Sequence, residues 1–147
     1  LGVSAAAGSF VVAGLSDRIG RRPVMIAMAF VGMLLPLAAL YYAGPAWMMA
    51  LFFFIGWSMN GIFPMFMATV PSESVDPLHT ATALGLTMGV AEVLGGVFAP
   101  ALAGMAADAT NLSAPLWIML ALTIASGLIA LFLRETAPSQ TAKRPAR

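Results

Sequence analysis

The chain has 147 residues, 61% hydrophobic and 9% charged, with a mean hydropathy of +0.93. Soluble domains run roughly 45–50% apolar and about 25% charged, so this composition is that of a membrane protein. Seven Lys or Arg against six Asp or Glu give a net charge of +1, which points to no nucleic-acid partner. The absence of cysteine excludes disulfides and thiolate chemistry, and a single histidine excludes His-based metal cages.

Residues 1–14 are apolar from the outset and carry no initiator methionine. A secretory signal places its basic residues ahead of the apolar run, whereas here the first, Arg18, follows it. The segment reads as the last part of a transmembrane helix whose beginning lies upstream. Residues 13–23 then form a tight, charged turn. Gly20 permits a backbone conformation that other residues resist, Asp17 can pair with an arginine or with a helix N-terminus, and Arg21 and Arg22 suit anionic headgroups or acidic loops. A plain basic anchor would need only Lys or Arg; Asp17 and Gly20 at fixed offsets ask for more.

A helix needs about 20 predominantly apolar residues to cross the hydrocarbon core. Residues 24–43, 46–70, 77–107 and 114–133 meet that requirement, and with the opening segment they predict an all-α bundle of five crossings. The connections carry turn chemistry. Tyr41 and Tyr42 precede Gly44-Pro45 as an interfacial belt and stop. Asp76-Pro77 offers a helix cap with proline at the first position, and 108–113 is a polar turn before Pro115 and Trp117.

Basic residues set the expected orientation. Arg18, Arg21 and Arg22 lie in the first loop, and Arg134, Lys143, Arg144 and Arg147 follow the last span, four crossings away. Both clusters therefore share one side, which the positive-inside rule makes cytoplasmic. Residues 15–23, 71–80 and the tail, 136–147, are placed there, and the loops at 41–45 and 108–113, without Lys or Arg, outside.

Polar groups inside the apolar runs are the candidate sites. Glu92 is the only ionisable residue well inside a span, where an acid costs roughly 2.5–3.5 kcal/mol at mid-membrane. Gly85, Gly89, Glu92, Gly96 and Ala103 share one helix face, so Glu92 is expected against a neighbouring helix, as a proton carrier or as a structural hydrogen-bonding group. Asn60 stands near the middle of its span, and Pro64, four residues on, cannot donate to its carbonyl. Such a broken helix suits a substrate site or an ordinary kink. Glu73 and Asp76 face the arginine loop. His79 and Asp108 read as helix-end residues.

The turn at 13–23 resembles the signature loop of the major facilitator superfamily, G-x-L-(A/S)-D-R-x-G-R-R. Leu15, Ser16, Asp17, Arg18, Gly20, Arg21 and Arg22 match in order, and Ala13 stands where the family has glycine. The resemblance implies two six-helix bundles that rock about a midplane site, with the signature after the second and eighth helices. The span at 46–70 lacks the arginine that the fourth helix of the N-terminal half usually carries, and a polar tail follows the last span, so the chain is expected to be the C-terminal half; the small residues at 77–107 weigh weakly the other way. The resemblance also implies that Glu73 pairs with Arg18, Arg21 or Arg22 in one state of a cytoplasmic gate. Exposed pairs are worth about 0–1 kcal/mol, so the role would be choosing between states.

The expected function is secondary transport of a small solute, with proton symport of an organic metabolite or anion first and drug–proton export second. No phosphate-cradling motif is present, no cofactor or metal is expected, and the partners are substrate, protons, the bilayer and the N-terminal half. Two rivals are a self-contained membrane protein acting as a dimer and a membrane-embedded enzyme. The second lacks a catalytic constellation, since no His, Cys or second acid stands near Glu92.

Overall fold

The structure, a computed structural model, describes residues 2–141, and these form helices without a strand. Lys143, Arg144 and Arg147 of the second basic cluster lie outside the described residues. The long elements are α1 (Gly2–Ile19), α2 (Arg21–Tyr41), α3 (Ala46–Ser74), α4 (Pro77–Ala109) and α5 (Ala114–Ala130), followed by a single turn, α6 (Pro138–Thr141). Among them α2, α3 and α4 are long and apolar enough to cross a membrane, and α5 is a shorter apolar helix. The protein is a polytopic transmembrane helix bundle.

Prolines account for the irregularities within these helices, because each removes a donor and crowds the carbonyl four residues back. Pro36 leaves the Gly32 carbonyl without its α-helical partner, and α2 breaks at Met33, whose N–H donates to the Phe30 carbonyl at 3.2 Å. Around Pro64, α3 tightens to a 3-10 turn over Ser58–Ile62 and widens to a π segment over Met65–Thr69. Ahead of Pro100, α4 widens over Glu92–Phe98.

Helices α1, α2 and α3 meet in a core of Val12, Val24, Met28, Ile62 and Met65. The face of α1 that packs on α3 is a stripe at four-residue spacing, Ser4, Gly8, Val12 and Ser16, and all four are buried. Small side chains allow close backbone approach there. A Cβ on Gly8 would lie 2.6 Å from the Ser58 carbonyl oxygen, one on Gly61 would strike the Gly8 carbonyl, and Ser4 Oγ donates to the Phe54 carbonyl. Helix α5 packs on α2, where a Cβ on Gly127 would lie 3.3 Å from Ala29 Cβ. At the end away from the arginines, Tyr41 meets Trp117 edge to face at 6.1 Å and Tyr42 meets Phe52 at 5.2 Å.

Helix α4 differs from the other long helices, for none of its residues is buried. It touches the others near its two ends, on α3 and on α5. The small-residue stripe expected against a neighbour has none among the described helices. Gly85 and Gly89 face open space, and a Cβ on Gly96 would meet only the Glu92 carboxylate of the same helix.

Candidate functional site

The polar groups of the bundle gather at the end formed by the α1–α2 turn, the end of α3 and the residues after α5. Gly20 makes the turn possible. Its φ of 121° and ψ of 155° belong to a region occupied almost only by glycine. The single residue between α1 and α2 brings Ser16 and Asp17 beside Arg21 at the start of α2.

Arg21 is the hub, with 7% of its surface exposed. Its Nη1 donates to Ser16 Oγ at 2.6 Å and to Asp17 Oδ1 at 2.5 Å. Its Nη2 donates to Glu73 Oε1 at 2.9 Å and its Nε reaches Glu73 Oε2 at 3.4 Å, a forked grip on one carboxylate. Thus one buried guanidinium joins α1, α2 and α3. Glu73 sits on the last turn of α3 and also accepts from Thr136 Oγ1 at 2.7 Å.

The other residues singled out in the loop lie outside this knot. Arg18 and Arg22 are exposed, and neither guanidinium forms an ion pair among the described residues. Asp76 turns to its own helix end and accepts from the Leu78 N–H at 2.9 Å. His79, in the first turn of α4, is exposed.

Sequence reasoning missed Glu135. Its Oε1 accepts the backbone N–H of Arg21 at 2.7 Å and that of Ala137 at 3.0 Å, and its Oε2 accepts that of Arg22 at 3.2 Å. Partial burial raises the Glu135 pKa, but the donations from Ala137, Arg21, Arg22 and Thr136 outweigh it, and the carboxyl titrates below the ordinary glutamate range. The one signal available was an acid two residues past the last apolar run, which also describes any solvated tail.

Deeper in the bundle, Asn60 Nδ2 donates to the Trp57 carbonyl at 3.0 Å, within its own helix. The residue lines an open cavity of about 570 Å³ between α2, α3 and α5, whose walls include Met25, Met59, Phe63, Phe66 and Phe132. Glu92 is not among its lining residues. It is exposed and opens the π segment of α4, a helix irregularity frequent at functional sites. The structure therefore joins Asp17, Gly20, Arg21 and Glu73, and leaves Arg18, Arg22, Asn60 and Glu92 apart. Among the described residues no three His, Asp or Glu converge as metal ligands would. Chemically the knot can hold helices together or let them go; it presents no reacting atoms.

The family model described as Major Facilitator Superfamily matches residues 1–147. No curated protein and no solved structure matches the chain. The chain belongs to this family of membrane transporters and lies in a membrane as an integral protein.

Proposed function

We propose that this member of the superfamily forms the C-terminal bundle of a secondary transporter that moves a small organic metabolite or anion with protons by alternating access. The observation that carries the reading is the buried Arg21 guanidinium, which clasps Asp17 on α1 and Glu73 on α3. A clasp of that kind, at one end of a bundle, can close a passage and be undone by helix rocking. Its end is the cytoplasmic one by the distribution of arginines, and Asp17, Arg18, Gly20, Arg21, Arg22 and Glu73 constitute the gate. An N-terminal half supplies the other wall of the substrate path, in the cytoplasmic or plasma membrane.

Within that path Glu92 is the proton carrier and Asn60 a substrate contact. Glu92 is supported by its place in the apolar run of α4, which has room around it for solvent, solute or the other half. Asn60 is supported by its position on a cavity wall beside the helix break at Pro64. The test is uptake by the complete protein in proteoliposomes with an imposed pH gradient, across a panel of organic acids, sugars and lipophilic cations. For Glu92→Gln the expected outcome is loss of proton-driven accumulation with substrate exchange retained. Unchanged accumulation would remove Glu92 from the coupling step.

A second reading, proton-coupled export of apolar drugs, is favoured by the cavity wall, where Met and Phe predominate and Asn60 is one of few polar groups. Transport of the lipophilic cations and not of the acids in the same panel would select it.

A further inference from the structure

We propose that residues 135–141 form a strap that clamps the α1–α2 turn, and that Glu135 is a positioning residue which holds Arg21 where it can grip Glu73; this rests on the gate reading above. The argument begins with the helix ends. The last carbonyls of α1 and the first N–H groups of α2 have no partners within their own helices. The residue preceding α2 is Gly20, which has no side chain with which to cap it, and no local side chain does so.

Both sets of orphan groups are met from the far end of the chain. Ser139 Oγ donates to the Asp17 carbonyl at 2.5 Å, and Gln140 Nε2 to the Arg18 carbonyl at 2.8 Å. Glu135 accepts from Arg21 and Arg22, 114 and 113 residues away in sequence. A carboxylate is also the charge that a helix N-terminus favours. Ala137, between these contacts, is wholly buried and seats the strap.

The strap also touches the other side of the gate. Thr136 Oγ1 donates to the same Glu73 oxygen that Arg21 Nε approaches. One short segment therefore fixes the backbone from which Arg21 springs and orients the carboxylate it reaches. Moving the end of α3 away from the turn must break the Arg21–Glu73 fork, and then either the Thr136–Glu73 bond breaks or the strap leaves the turn with α3. Strap release and gate opening are thus coupled.

The experiment uses the complete protein in proteoliposomes. These 147 residues contain no cysteine; with any cysteine elsewhere in the complete protein replaced by serine, a single Val70→Cys, at a buried position on α3 near the gate, reports opening through its labelling rate with a membrane-impermeant maleimide. Glu73→Gln, Glu135→Gln, Thr136→Val and the Glu73/Glu135 double variant are compared. Loss of a hydrogen bond to a charged group predicts labelling about tenfold faster in Glu135→Gln and a smaller rise in Thr136→Val. The double variant is expected to label no faster than Glu73→Gln alone, because Glu135 acts through the same pair.

If Glu73→Gln labels faster and Glu135→Gln does not, the strap proposal fails and the gate stands. Equally, additive effects in the double variant would make Glu135 an independent helix cap and overturn it. If no variant changes the rate, the gate reading itself fails and the strap with it. Should Glu135→Gln not fold, Thr136→Val, which leaves the helix cap untouched, carries the test, and an unchanged rate there overturns the proposal.

Discussion

Arg21 grips Glu73 through two nitrogens, at 2.9 and 3.4 Å, from a site where its own side chain is 8% exposed. A guanidinium so placed depends on its carboxylates. In Glu73→Ala it keeps the Ser16 hydroxyl and, as its one remaining carboxylate, Asp17, whose side chain is 64% exposed. The expected cost is about 2 kcal/mol of stability, the value of a hydrogen bond to a charged group. Arg21→Lys restores charge without the fork and is expected to recover less than half of what Arg21→Ala loses. Thermal unfolding of the detergent-solubilised protein measures both, and a wild-type melting temperature for Glu73→Ala would show that the fork contributes nothing.

Gly20→Ala is expected to be more damaging than an alanine in a surface turn. The backbone conformation there costs a side chain of order 1–3 kcal/mol. A Cβ would also run into the Glu135 carboxylate, so the strap must shift as well. The expected signature is a lower melting temperature together with faster proteolysis after α5. Strain alone would give the first without the second.

Much of this was readable in the residues. Apolar runs of membrane length, bounded by Gly-Pro, Asp-Pro and arginine clusters, imply the helices because each signal acts over a few neighbouring residues. Gly20 and Asp17 stood out because an ordinary basic anchor has no use for them. Glu135 did not stand out, since its partners are backbone amides more than a hundred residues away and amides have no sequence signature. Asn60 and Pro64 marked a break in α3, but the choice of a tight turn on one side and a wide one on the other depends on packing against α1. The stripe through Glu92 was legible as a face; what covers a face is a property of neighbours.

The α1–α3 contact supplies a packing test. A methyl on Gly61 has no room, for it meets the Gly8 carbonyl carbon and oxygen and a Val12 methyl. Backbone cannot move aside as a flexible side chain can, so Gly61→Ala is expected to cost about 1–3 kcal/mol. Gly104→Ala, where nothing lies within 4 Å, is expected to be neutral or stabilising by up to about 1 kcal/mol, because alanine is the better helix former. Melting temperatures of the two variants in parallel decide the matter. Equal shifts would mean that the helices re-space freely.

Acid should weaken the strap, and the sign follows from Glu135. Its carboxyl titrates below the ordinary range because the folded state supplies N–H donors to the charged form. A group with a lowered pKa contributes its full stabilisation above the unfolded value, about 4.3 for glutamate, and loses it as pH falls through the folded value. Around the strap stand Arg21 and Arg22 of α2, Asp17 and Arg18 of α1, Glu73 of α3 and neighbouring Arg134. Asp17 and Glu73 are carboxylates of the same cluster, so the wild-type profile alone does not isolate Glu135. Comparison with Glu135→Gln separates them. The variant is expected to be less stable than wild type at neutral pH, and the gap to close as pH falls below about 4.3. A gap that persists unchanged to the most acidic pH the fold survives would assign the loss to packing of the side chain rather than to its charge.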